Sequence, residues 1–268
     1  MRKLALFLLV AALSVIASGC GGNEDKSGGA TTAAASCDKG DLNLVSDGTL
    51  TVGTDNPAFP PWFGGDEKAP WKVSDPRSGE GFESAVAYAV ADELGFSKDE
   101  VKWVVVPFNT SFAPGPKSFD FDINQISFKP VRAKAVDFSD SYYNVNQAIV
   151  VVKGTKIASA GSVDELKPYE LGTQIGTTSY DYIVNNIKPS KNPSVFDTND
   201  AAVQVPNSKI LGQFPSAGAQ EHFGLVFEKG NSLVQCVNDA LSKLRTDGTL
   251  GRLQDKWLSK AAGAPVLK

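Results

Sequence analysis

Arg132 is a candidate anchor for a ligand, the alternative from residue types alone being a solvated arginine on a short surface helix. Ahead of it Ile123 and Ile126 lie in a run of strand type, Ser127 follows, and Pro130 favours the first turn of a helix. The spacing predicts a strand, a short turn and a helix with Arg132 one turn in. Free backbone N–H groups at a helix start attract an anion, and a guanidinium beside them can clamp a carboxylate through two parallel hydrogen bonds. A second unit repeats the plan, with a strand over 171–175, a turn at Gly176, Thr177 and Thr178, and a helix face of Tyr182, Ile183 and Ile187. Taken as residue types alone, Thr177 and Thr178 are helix caps.

Other chemistries find little support. The sequence has no His or Cys pair at metal spacing, no phosphate loop, and only His222 to serve a Ser-His-acid set; His222 reads as a surface residue near a hinge and not as a ligand. Asp55 could act as a general base if its pKa were raised. No cofactor is expected. The chain has 268 residues, 42% of them hydrophobic, enough for two modest cores. Its net charge is −4, or −6 once Arg2 and Lys3 are removed with a leader, which argues against a nucleic-acid partner.

The leader is expected over 1–19: a basic start, an apolar run over 4–17 too short to span a bilayer, then Ala17, Ser18, Gly19 and Cys20. Small residues before Cys20 resemble the bacterial lipobox, which implies a lipid anchor on Cys20; simple cleavage is the alternative. Residues 20–45 begin with a Gly, Ala, Ser and Thr-rich run and read as a flexible tether. Of the two cysteines left, Cys37 ends that run and Cys236 sits on an apolar-periodic helix. In an exported chain a lone pair is expected to be joined.

The elements that must position Arg132 alternate between strand and helix. Leu50 and Val52 alternate with Thr51 and Gly53 as a strand, stopped by a proline-rich run, and residues 63–80 form a loop or hairpin. Phe82, Val86, Ala89, Val90 and Leu94 have helical spacing, with Gly95 as the stop. A strand then runs to Phe108, and Pro114 and Pro116 break any helix after it. A long strand follows Tyr143, and two closing helices put Leu250, Leu253 and Trp257 on one face. The expected class is α/β, with parallel sheets flanked by helices.

Several of these stretches together resemble the family 3 bacterial extracellular solute-binding proteins, the polar amino acid receptors of ABC transporters. The matching residues are Ser127, Arg132 and Asp137, Phe138, Ser139; Asp55 and Phe59, with Trp62 close by; Gly81, Phe82 and Glu83; Gly176, Thr177 and Thr178; and the returning run over 220–231. The resemblance implies a two-lobed periplasmic-binding-protein fold of type II, with lobe 1 at 46–143 plus 221–268 and lobe 2 at 146–220. It also implies an interlobe cleft where Asp55, Phe59, Phe108, Ile126, Ser127, Arg132, Thr177 and Thr178 contact a small polar solute. Arg132 and the threonine turn would hold its carboxylate. Relatives place an aspartate for the ligand's ammonium five residues after an aspartate-alanine pair; here the pair is Asp200 and Ala201, and Val205 stands at that place. Asp55, Asn207 or Asp197 could substitute, or the solute lacks an ordinary ammonium. The implied role is a monomeric receptor working with a membrane permease, the alternative being a cleft enzyme of dehydratase type.

Overall fold

The computed structural model describes residues 36–198, 205–215, 219–258 and 264–268. The expected leader, Cys20, and the pair Asp200 and Ala201 lie outside them.

A five-stranded sheet organises the first core. Leu50–Thr54 (β1) is buried along its whole length, because it pairs in parallel with Val101–Val105 (β2) on one side and Phe121–Asp122 (β3) on the other. Helix α1 (Phe82–Glu93) lies between β1 and β2 in sequence. It buries Phe82, Val86, Ala87, Val90 and Ala91 and stops where Gly95 turns left-handed at φ +81°. There the Gly95 and Phe96 N–H groups donate to Asp92 and Ala91 carbonyls at 2.9 Å. After β2 a single turn, α2 (Phe108–Ser111), ends before Pro114 and Pro116.

The helix expected after Pro130 is reduced to one 3-10 turn, Arg132–Lys134. The chain returns to the sheet at once as β4 (Val136–Phe138), where Val136, Asp137 and Phe138 pair with Glu228, Phe227 and Val226. A partner some ninety residues away thus overrides the local helical signal.

The backbone leaves this core through β5 (Tyr143–Asn144) and enters a second one. Ala148–Val152 (β6) pairs antiparallel with Ser208–Gln213 (β9), with a bulge between Ile149 and Val150. Gly172–Gln174 (β7) pairs in parallel with Ser194–Phe196 (β8). Between β7 and β8 runs α3 (Thr178–Tyr182), continued by a π turn at Ile183–Ile187. Val151, Leu166, Leu171, Ile183, Ile187, Leu211 and Phe214 make the second core. The return is β10 (His222–Phe223), antiparallel to β5, so the two crossovers are bonded to each other.

The chain then adds β11 (Val226–Glu228) to the first sheet, giving the order β2-β1-β3-β11-β4. Helices α4 (Leu233–Thr246) and α5 (Thr249–Leu258) pack on α1 and on each other. Two α/β cores joined by two crossovers are the two-lobed arrangement that the sequence resemblance implies.

Both ends of the described chain differ from the expected plan. Residues 36–45 are part of the first core: Leu42 and Leu44 pack on it, and the Val45 N–H donates to Asp120 Oδ1 at 2.7 Å. Cys37 is bonded to Cys236 of α4 with their Cα atoms 5.4 Å apart, as the compartment argument predicts. The last residues, assigned to lobe 1 in sequence, sit on the second core: Leu267 is buried there, and its N–H donates to the Gln213 carbonyl at 2.8 Å.

Candidate functional site

Arg132 is buried to 6% exposure where the two cores approach. Its Nη1 donates to the Ser127 carbonyl at 2.6 Å, and its Nη2 donates across the gap to the Gly176 carbonyl at 2.8 Å. The guanidinium plane lies over Phe112, 4.2 Å from the ring centroid, and within 5.6 Å of that of Phe108. Burial lowers its pKa to about 10 while the carboxylates of Asp181 and Glu221 oppose the shift, so it stays charged at neutral pH. Two of its five N–H donors are committed, and the rest can serve a carboxylate. Gly176 makes the approach feasible: its φ is +79°, and a Cβ there would collide with Asn109 Oδ1.

Arg132 lines a cleft of about 410 Å³ together with Asp55, Phe59, Trp62, Phe108, Asn124, Gln125, Ser127, Gln147, Thr177 and Thr178. That volume suits a small solute. Of the expected ligand residues, Asp55, Phe59, Phe108, Ser127, Arg132, Thr177 and Thr178 are brought together here. Trp62 packs edge-on against Phe82, Tyr143 and Phe223, which ties the aromatic wall to both crossovers.

Two expected residues fall elsewhere. Ile126 is fully buried with Phe108, Val136 and Val226. In an extended chain neighbours point to opposite faces, so with Ser127 turned to the cleft Ile126 must enter the core. Val205 lines an adjoining cavity of about 460 Å³ in the second core, beside Phe196, Thr198 and Phe214. Asn207 closes the turn before β9, its carbonyl accepting from Lys153 N–H at 2.9 Å.

The hydroxyls expected to meet a carboxylate are engaged in an unexpected way. Thr177 Oγ1 donates to the Gln174 carbonyl at 2.8 Å and caps α3 by accepting from Tyr180 N–H. Ser127 Oγ and Thr178 Oγ1 both donate to Glu221 Oε1, at 2.5 and 2.6 Å. Gln147 Nε2 donates to Glu221 Oε2 at 2.8 Å, and Gln147 Oε1 accepts from Ser179 Oγ at 2.7 Å. Gln147 and Glu221 escaped the sequence reading. They lie 74 residues apart, and only their place in the two crossovers could have marked them. Lys129 and Asp181 add an ion pair between the cores.

Beneath the cleft lies a buried pair of acids. Glu83, at the start of α1, accepts from Tyr142 Oη and from both the backbone and side-chain N–H groups of Gln125. Burial raises its pKa to about 7 against those hydrogen bonds. Among the described residues Asp122 has no hydrogen-bond partner on either oxygen, and burial, with Glu83 and Asp55 nearby, pushes its pKa well up. A carboxyl raised in the folded state stabilises the fold fully below its unfolded pKa and loses that contribution as pH rises through the folded value. The folded chain is therefore expected to lose stability between about pH 4.5 and 7, by about 3 kcal/mol from Glu83. Urea unfolding at pH 5 and pH 8 reads this; Glu83→Gln should shrink the difference by the Glu83 share and leave that of Asp122, and an unchanged difference would contradict it.

A two-lobed α/β protein with a buried arginine and aromatic walls in the cleft is a solute-binding architecture. The chain belongs to the bacterial extracellular solute-binding proteins, family 3, whose family model matches residues 50–260. It is 28% identical over 256 residues to the L-cystine-binding protein TcyJ of Escherichia coli strain K12, covering 86% of this chain and 89% of that protein. It is 29% identical to the arginine-binding extracellular protein ArtP of Bacillus subtilis strain 168, over 67% of this chain and 78% of ArtP. Among solved structures, an ancestral arginine-binding protein bound to glutamine shares 30% identity at a TM-score of 0.62, covering 80% of this chain and 99% of that one. These relatives are named as amino acid-binding proteins, and their ligands differ.

Proposed function

We propose that this chain is the extracytoplasmic receptor of an ABC importer, binding an amino acid or related small carboxylate between its lobes and presenting it to a membrane permease. The observation that carries this is the convergence of Arg132, Asp55, Ser127 and the aromatic rings of Phe59, Trp62 and Phe108 on one cleft. A buried cation with spare donors suits a carboxylate, and the rings suit an apolar stem. Residues 46–143 and 221–258 would move as one lobe and 146–215 as the other, with β5 and β10 as the hinge. The Cys20 lipobox would hold the receptor at the membrane.

Binding is favoured over catalysis because the relatives that the chain resembles are named for the amino acids they bind. A melting-shift screen over the standard amino acids, cystine and their deaminated counterparts tests the proposal. A ligand at about 100 times its Kd should stabilise the fold by about 2.7 kcal/mol. Mass spectrometry of the same samples should find the ligand unaltered. No shift with any of these compounds would overturn the reading.

A further inference from the structure

The carboxylate of Glu221 is set back from the cleft and holds four elements together. Its Oε1 accepts the hydroxyl protons of Ser127, from the first core, and Thr178, from the second, at 2.5 and 2.6 Å. Gln147, on the other crossover, shares one Nε2 proton between Oε1 at 3.0 Å and Oε2 at 2.8 Å. Every contact is a donation into the carboxylate, as an ionised acid requires.

A hydroxyl has one proton and two lone pairs. Once that proton is given to Glu221, the oxygen can only accept. Ser127 and Thr178 both line the cleft, and their hydroxyl oxygens are 3.4 Å apart. Thr178 Oγ1 also accepts from Gln147 Nε2 at 3.0 Å, which leaves it one lone pair, whereas Ser127 retains two. The pair thus offers acceptor oxygens, backed by a negative charge, beside the donors of Arg132. A carboxylate placed against it would meet lone pairs, and an ammonium would satisfy them.

We propose that Glu221 is a specificity-determining positioning residue: by taking the Ser127 and Thr178 protons it makes the two hydroxyl oxygens, side by side, the seat against which the ligand's ammonium group docks. This deepens the amino acid reading above, on which it rests. It supplies the ammonium acceptor that Val205 cannot, and it leaves the ligand carboxylate to Arg132. The ligand class is then an α-amino acid with a free amine.

Calorimetric titration of the whole exported chain tests this with two matched pairs, L-arginine with 5-guanidinopentanoate and L-glutamine with glutaramate, each pair differing only in the amine. In Glu221→Ala the amino acids are expected to lose roughly 10- to 150-fold in affinity, the range for a lost charge-assisted contact, while the amine-free partners change little. Glu221→Gln, which removes the charge but keeps the shape and a carbonyl acceptor, should show a smaller loss with the same selectivity if Ala unfolds the chain, and Glu221→Asp should restore part of it. Equal losses for both members of a pair would make Glu221 a structural clasp and overturn the proposal. A gain for the amine-free compounds would mean that Glu221 competes with the ligand carboxylate, which also overturns it. A native chain that binds only the amine-free compounds would overturn this proposal and leave the receptor reading standing, whereas a native chain with no ligand in the melting-shift screen would bring down both, and either result is visible before any variant is made.

Discussion

Replacing Arg132 with alanine is expected to cut affinity for the amino acid ligand by roughly 100-fold or more, because the carboxylate loses a charge-assisted partner in a desolvated site. The same change leaves the Ser127 and Gly176 carbonyls, now bonded to the guanidinium, without their donor. It also takes away the cation held over Phe112. Against that, it removes a charge whose burial has lowered its pKa to about 10. The net cost to the fold should be about 1 to 3 kcal/mol, too small to unfold a domain of ordinary stability. Calorimetry on a variant shown to be folded by its melting curve separates the two effects. A folded variant with native affinity would remove Arg132 from the anchor role.

Breaking the Cys37 to Cys236 bond is expected to be the most damaging change to stability. The cysteines are 199 residues apart, and closing a loop of that length restricts the unfolded chain by about 5 kcal/mol in the entropy model, an upper value. The bond also fastens the segment carrying Leu42 and Leu44 to α4, where Cys236 lies within the first core. Cys236→Ser should therefore lower the denaturant midpoint markedly and expose the amino-terminal segment to protease. In the native oxidised chain, neither thiol should react with an alkylating reagent until reductant is added. Ready alkylation without reductant, or a Cys236→Ser variant as stable as the native chain, would contradict this.

What could be read from sequence follows the range of the interactions involved. The strand at Leu50, the helix from Phe82 and its Gly95 stop are set by local spacing and by one left-handed glycine, and both appear as expected. The Thr177 cap is equally local. The helix after Pro130 was not legible, because Val136 and Phe138 answer to β11, far along the chain. Ile126 could have been placed correctly from the same sequence, since strand alternation sends it away from Ser127. The Glu221 network could not, because its members come from positions 127, 147, 178 and 221 and meet only when both crossovers are formed. Val205, reached by counting from a motif, lines a cavity that shares Gln147, Thr173 and Gln174 with the cleft.

The most direct test is a crystal structure of the chain with the amino acid that gives the largest melting shift. The expected result is one ligand molecule in the cleft, its carboxylate on the Arg132 guanidinium at about 2.7 to 2.9 Å, the usual range for such a pair, and its amine against the Ser127 and Thr178 hydroxyls. A ligand seated in the cavity beside Val205 and Phe214, or one in the cleft with no contact to Arg132, would contradict the account.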